Sequence, residues 1–291
     1  MNDFKSRYDE NGFVAIEGVF ADDEVDALRH EATAIATGER GAVLGAEEFA
    51  GQGDAALAGV LAIHFPHKVS PLMRDTLAHP KVVALLTQLI GPDVKAMQSM
   101  LFVKSAGKPG QAWHQDEHYI PTRDRSLAGV WIALDDATID NGCLWMLPGS
   151  QRDGVLWPTR AHGDSRFDGG EEAYGAFERE GGVPVELKAG GIAVFNGYTL
   201  HRSLDNRRPH GFRRALVNHY MSARSYLPWG FGLPPQPRED FRDIVMVAGE
   251  DPYAWRGHED ISFPFIRPED PAQAARVFGR AAQFAAERAG R

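Results

Sequence analysis

The apolar positions of this chain repeat with a helical period before about residue 94 and fall into short strand-like runs after it. Residues 13–16, Phe-Val-Ala-Ile, read as a strand. A helix then opens at Asp22 and Asp23, with Val25, Leu28, Ala32 and Ile35 lining one face. Acidic side chains in its first turn suit the positive end of the helix dipole. From 38 to 59 Gly, Ala and Glu follow one another without period, which predicts a loop or a mobile cover. A second helix begins near Pro80, carries Val82, Val83, Leu85, Leu86 and Ile90, and stops at Gly91-Pro92, outside the strand-rich core.

The later runs, 94–104, 129–134, 143–147, 183–187, 192–195 and 215–221, are predicted strands. Between them stand turn clusters such as Lys108-Pro109-Gly110, Asp140-Asn141-Gly142, Pro148-Gly149-Ser150 and Ala189-Gly190-Gly191. Many strands with few helices between them predict a mainly β fold with α additions. The expected core is a double-stranded β-helix, a cupin-like jelly-roll barrel enclosing a cavity, with flanking helices. Residues 152–182, rich in charge and in glycines such as Gly169-Gly170 and Gly181-Gly182, read as a surface insertion or as a lid. Beyond Pro228 the chain is rich in Pro, Trp and charge, and Pro271–Ala289 reads as an alanine-rich helix interrupted at Gly279 that packs on its own core. One domain over 1–291 is expected, with its core at about 94–222, an N-terminal helical part at 1–93 and a C-terminal extension at 223–291.

Composition narrows the classes of function. With 291 residues the chain is long enough for a β-barrel with additions as one unit. A formal charge of −9 disfavours a nucleic-acid partner. Cys143 is the single cysteine, so neither an intrachain disulfide nor a thiolate zinc cluster can form. A cytoplasmic setting, no membrane span and a monomer or homodimer are the corresponding expectations, and the N-terminal residues lack the apolar stretch of a signal peptide.

Candidate chemistry lies in Trp113-His114-Gln115-Asp116 and, far downstream, in His201-Arg202-Ser203 and Arg213. Two imidazoles and one carboxylate can occupy one face of a metal ion and leave the opposite face open, the arrangement of non-haem Fe(II) oxygenases. On an extended strand residues i and i+2 point the same way, so His114 and Asp116 can face one point while Gln115 faces away. Such an H-x-D step alone is common by chance. Arg213 offers a planar guanidinium that can grip a carboxylate through two parallel hydrogen bonds. Strand alternation lets only one of Arg213 and Arg214 point inward, and Arg213 is the inward candidate.

The run from Trp113 to Pro121, then Trp131, Asn141-Gly142-Cys143-Leu144, Leu147-Pro148-Gly149-Ser150, His201-Arg202-Ser203, Asn206 and Phe212-Arg213 resembles the phytanoyl-CoA dioxygenase family of Fe(II)/2-oxoglutarate oxygenases, from about Asn11 to about Tyr226. That resemblance implies His114, Asp116 and His201 as iron ligands. It also implies Arg213 on the distal carboxylate of 2-oxoglutarate, Ser203 assisting it, and Trp131, Met100, Gln98 and Lys68 in the co-substrate pocket. Fe(II), 2-oxoglutarate and O₂ would then turn over together, releasing succinate and CO₂ while a small organic substrate is hydroxylated. In related halogenases a small residue stands at the carboxylate position, so Asp116 favours hydroxylation.

Two other readings compete: an inactive cupin-like binding protein, and a zinc hydrolase on the same ligands. The first would normally lack a ligand or the arginine, and the second needs no dicarboxylate clamp. The substrate is expected to be a small metabolite. Arg123, Arg125, Arg160 and Arg166 are available for an anionic one, and read equally as solvated charges. His64 and His67 read as loop or pocket residues, His118 as a substrate contact or hydrogen-bond donor near the triad, and His162, His210 and His219 as ordinary surface or core residues. Trp145 and Trp157 read as packing or cavity lining, and Asp135 and Asp136 alternate across a strand end without forming an acid/base pair.

Overall fold

The computed structural model describes residues 2–168, 170–179, 181–225, 244–258 and 262–289. Gly169 and much of the Pro- and Trp-rich stretch expected beyond Pro228 lie outside these. The strands are β1 (Phe13–Ile16), β2 (Val60–His64), β3 (Val94–Ser105), β4 (Gln111–His114), β5 (Ala128–Ala133), β6 (Leu144–Met146), β7 (Thr159–Ala161), β8 (Glu171–Ala173), β9 (Val183–Val185), β10 (Ile192–Asn196), β11 (His201–Ser203), β12 (Phe212–Ser222), β13 (Val245–Ala248) and β14 (Phe265–Pro268). The helices are α1 (Asn2–Asn11), α2 (Asp22–Ala36), α3 (Pro71–Leu77), α4 (Pro80–Leu89), α5 (Asp116–Tyr119) and α6 (Pro271–Ala289).

Two antiparallel sheets carry the fold. The larger has the order β1-β10-β5-β12-β3-β2-β14, with β13 also on β3, and the smaller has the order β4-β11-β6-β9. This is the jelly-roll arrangement of two sheets rather than a closed barrel. β3 and β12 form its spine, paired from Phe212 opposite Ser105 to Ser222 opposite Val94. Both are apolar on alternate faces, which explains two separate cores. Leu101, Val103, Leu216 and Tyr220 face α2, α3 and α4, packing on Leu28, Ile35, Leu77 and Leu86. Ala215 and Val217 face the smaller sheet, packing with Trp131, Leu144, Met146 and Phe195.

Local sequence accounts for the helices. Glu24 accepts from the backbone N–H of Ala21 at 2.8 Å at the start of α2, and Ser70 caps α3 by accepting from the N–H of Met73 at 3.1 Å. Pro71 and Pro80 open α3 and α4 where a missing N–H costs nothing.

Several expectations change. The stretch 38–59 is no mobile cover: it holds the 3₁₀ turns Ala46–Glu48 and Gly53–Gly59, and Val43, Leu44, Phe49, Ala56 and Leu57 are buried. Such turns lack the 3.6 period, so their apolar residues bury without leaving a pattern. The core extends past 94–222, because β1, β2, β13 and β14 all join the larger sheet, and the part before residue 94 is therefore not purely helical. Helix α6 runs through Gly279 unbroken and lays Val277 against Leu44, Phe65 and Phe265. Within 152–182, β7 and β8 form a hairpin. No helix among the described residues is long and apolar enough to cross a membrane.

Candidate metal centre and adjoining cavity

His114 ends β4 and sits opposite His201 of β11 in the register, so the two imidazoles leave the same face of the smaller sheet. Gln115 keeps an extended backbone, with φ −129 and ψ 127, before Asp116 opens the short helix α5. The same-side rule for i and i+2 therefore holds although Asp116 is helical. Gln115 does face away. Its amide donates to the carbonyls of Val155 at 2.8 Å and Tyr198 at 2.7 Å and accepts from the N–H of Trp157 at 2.9 Å, pinning the start of the 152–182 segment.

The donor atoms of His114, Asp116 and His201 lie within 4.8 Å of one another. Asp116 Oδ1 is 3.7 Å from His114 Nε2 and 3.6 Å from His201 Nε2. Donors bound about 2.1 Å from one ion at right angles sit roughly 3 Å apart, so small adjustments suffice for coordination. Each imidazole uses Nδ1 on a backbone carbonyl, Ala112 at 2.8 Å and Thr199 at 2.9 Å. That bond places the proton on Nδ1 and leaves the Nε2 lone pair for a metal. Burial and the neighbouring His201 push the His114 pKa down to about 4, so this ring is neutral near neutral pH. The donor set fits Fe(II) by number, type and open side.

His219, read from the sequence as an ordinary surface or core residue, stands against the triad. It is buried, and its Nε2 lies 2.9 Å from Asp116 Oδ2, the carboxylate oxygen turned away from the imidazoles. Burial alone would raise the Asp116 pKa, but His201 and His219 outweigh it and hold the carboxyl well below its ordinary range. With Oδ2 tied, only Oδ1 is free for a single bond to metal. The signal for this was available: His219 shares the inward side of β12 with Arg213 and Val217. Replacing His219 with Ala is expected to weaken metal affinity by about 10–100-fold, the usual effect of removing a partner behind a ligand. Titration of metal-free protein with Fe(II) under nitrogen checks it, and unchanged affinity would show that the bond does not steer Asp116.

The triad opens into a cavity of about 560 Å³. Its lining includes Gln98, Met100, Trp131, Ser203, Arg213 and Val217. Rows across the larger sheet explain this grouping, since Met100, Val217 and Trp131 are register partners, as are Gln98 and His219. Arg213 is buried, its Nε has no hydrogen-bond partner, and its guanidinium lies 5.4 Å from the Trp131 ring centroid. Burial lowers its pKa to about 10, which leaves it charged at neutral pH. Arg214 points the other way and binds Asp135 through two contacts of 2.8 Å. Asp136 turns from Asp135 to Lys188 at 2.8 Å.

Other expected residues lie elsewhere. Lys68 does not line the cavity: the turn Pro66–Lys68, entered through Phe65 at φ 54, brings its Nζ to the Ser262 carbonyl at 2.6 Å. The four loop arginines are also off the cavity lining. Arg160 pairs with Glu172 and Arg166 with Asp164, while Arg125 stands over Tyr198. Trp145 and Trp157 pack around Trp113 and Phe177, and His118 is exposed beside Tyr119. His64 does reach the cavity, its ring stacked 4.1 Å from that of Phe265. The 152–182 segment contributes Asp168, Gly170 and Glu171 to the rim, and Asp168 pairs across it with Arg267 of β14 at 2.9 Å.

The family model for phytanoyl-CoA dioxygenase (PhyH) matches residues 8–215, which contain the triad, Ser203 and Arg213. This chain belongs to the phytanoyl-CoA dioxygenase family. Among similar proteins, phytanoyl-CoA dioxygenase 1 of Oryza sativa subsp. japonica is 32% identical over 60% of this chain and 63% of its own length. The peroxisomal phytanoyl-CoA dioxygenase of Rattus norvegicus is 28% identical over 74% and 67%. Against the Arabidopsis thaliana family member the match, 34% identical, covers 49% of this chain and 50% of the relative, so the chain spans about half of that protein's length. Among solved structures, the non-heme monooxygenase ThoJ in its apo form is similar over 98% of this chain and 97% of its own, at 26% identity and a TM-score of 0.68. The epimerase SnoN shares the fold at 22% identity and a TM-score of 0.60, over 86% and 96% of the two chains.

Proposed function

We propose that this protein is a non-haem Fe(II)/2-oxoglutarate-dependent dioxygenase that converts 2-oxoglutarate to succinate and CO₂ while hydroxylating a small organic substrate. The observation that carries this reading is the meeting, in one cavity, of a three-ligand set and a buried Arg213 whose Nε has no hydrogen-bond partner among the described residues. Family relatives that bear the dioxygenase name support it.

Iron, 2-oxoglutarate and O₂ would supply the oxidising chemistry, and the protein's own groups supply ligation, orientation and dryness. His114, Asp116 and His201 would hold the metal on one side only. Arg213 and Ser203 would fix the distal carboxylate of the co-substrate, the guanidinium setting its plane as well as its charge. Met100, Phe102, Trp131 and Val217 line the space between and keep water out. The size of the cavity suits a co-substrate with part of a small molecule beside it.

Arg213 also separates this reading from a zinc hydrolase, which has no use for a buried carboxylate clamp. The test is an assay of O₂ uptake and succinate release with added Fe(II) and 2-oxoglutarate. Both are expected, in equal amounts and dependent on both additions. Hydrolysis supported by zinc, with no consumption of 2-oxoglutarate, would overturn the proposal.

A further inference from the structure

The lining of the cavity carries more negative than positive charge once its occupants are counted. Among the described residues Asp116, Asp168 and Glu171 are its carboxylates, and Arg213 and Arg267 its guanidiniums. Fe(II) and 2-oxoglutarate, a dication and a dianion, would cancel each other, and Arg213 offsets Asp116. Asp168 is paired with Arg267 at 2.9 Å. Glu171 is left over. Burial, and then Arg267, push the His64 pKa down to about 3, so this lining imidazole adds no positive charge.

Strand geometry explains why Glu171 stands alone. In the β7/β8 hairpin Arg160 is opposite Glu172 and Ala161 is opposite Glu171. Cross-strand partners share a face, so the hairpin's arginine goes with Glu172, which it binds at 2.8 Å. The Glu171 carboxylate accepts from a neutral hydroxyl, that of Thr159, at 2.6 Å and forms no ion pair among the described residues. Tyr119 is its neighbour on the lining. Burial, and then Glu171, Asp116 and Asp168, raise the Tyr119 pKa, which places its phenol in the field of all three carboxylates. The Tyr119 ring lies 6.2 Å from that of His114 and is 46% exposed, so aromatic surface stays open at the mouth.

An independent observation comes from deeper in the cavity. Gln98 is only 6% exposed and stands opposite His219 in the register, and its Oε1 has no hydrogen-bond partner among the described residues. A buried acceptor left open is costly. It calls for an N–H or O–H from a bound molecule, which an ionised carboxylate cannot give.

We propose that the organic substrate is a cation whose ammonium group is received between the Glu171 carboxylate and the Tyr119 ring. This rests on the proposed function, because iron and 2-oxoglutarate enter the charge count. A ring face and a carboxylate side by side attract the same positive charge. Phe102 and Ile120, on the same lining, suit an apolar remainder. An anion of the same shape meets like charge at the mouth. An amine thus takes the place of the anionic substrate for which the loop arginines were available.

The test is calorimetric binding of three probes that share one ring: cyclohexylammonium, cyclohexanol and cyclohexanecarboxylate. The protein is loaded with Fe(II) and saturating 2-oxoglutarate under nitrogen, at about pH 8, where ordinary imidazoles are neutral. The ammonium binds about tenfold or more tighter than the carboxylate, with the alcohol between, since attraction turns to repulsion. Glu171→Gln weakens ammonium binding about threefold to fivefold and leaves the alcohol within about twofold. Tyr119→Leu weakens the ammonium about twofold to fivefold. Added salt narrows the preference. Equal binding of the three probes or binding of none, a preference for the carboxylate, or an ammonium preference that survives Glu171→Gln overturns the inference. Titration with 2-oxoglutarate beforehand separates the two claims. A protein that binds 2-oxoglutarate but shows no ammonium preference loses this inference alone, whereas one that does not bind 2-oxoglutarate loses the proposed function and the inference with it.

Discussion

Replacing Asp116 with Ala is expected to reduce coupled succinate formation by well over 100-fold, beyond the 10–100-fold that changes behind a ligand usually cost. Asp116 is the only carboxylate in the triad, and its Oδ1 is the atom common to both close contacts with the imidazoles. Without it two imidazoles remain, with no negative charge to offset a divalent ion. The loss should be visible first as metal affinity, measured by titration, and then as turnover. His219 sharpens the expectation, because its bond to Oδ2 also loses its partner. Retained turnover in the Asp116→Ala protein would remove Asp116 from the ligand set.

Replacing Arg213 with Ala is expected to raise the 2-oxoglutarate requirement by roughly 30-fold or more, while Arg214→Ala leaves it within about twofold. Truncating one member of a buried charge pair costs about 2–5 kcal/mol, and the lower end corresponds to roughly 30-fold in affinity. Arg213 has a cavity in front of it and no partner for its Nε. Arg214 is committed to Asp135, with both side chains near 15% exposed. Its removal leaves that carboxylate with Arg29 alone, at 3.3 Å, so the cost appears in stability, between the ~1 kcal/mol of an exposed pair and the ~3 kcal/mol of a buried one. KM for 2-oxoglutarate and the midpoint of thermal unfolding separate the two effects. An inverted pair of results would reverse the strand-face assignment.

The alternation of β12 made this contrast legible in the sequence, because strand geometry maps parity onto face without any knowledge of neighbours. The H-x-D pair was legible for a related reason: Gln115 stays extended, so the strand rule carries over one residue into α5. His219 was on the same parity as Arg213, but its partner Asp116 opens α5 after a strand of the smaller sheet, and no local pattern signals that pairing. Lys68 misled because a short flanking motif says nothing of the left-handed residue that starts its turn. Among the elements, α1 is almost wholly polar apart from Phe4 and Tyr8, leaving no amphipathic stripe to read. The short strands β13 and β14 become strands by pairing with β3 and β2.

The central claim is that His114, Asp116 and His201 hold one iron in front of Arg213. Its most direct measurement is a crystal structure of the protein grown without oxygen in Fe(II) and 2-oxoglutarate, with anomalous data collected at the iron edge. The account predicts a single anomalous peak about 2.0–2.2 Å from His114 Nε2, His201 Nε2 and one oxygen of Asp116, and a carboxylate against the Arg213 guanidinium. A peak bound by other residues, or none at the triad, would contradict it.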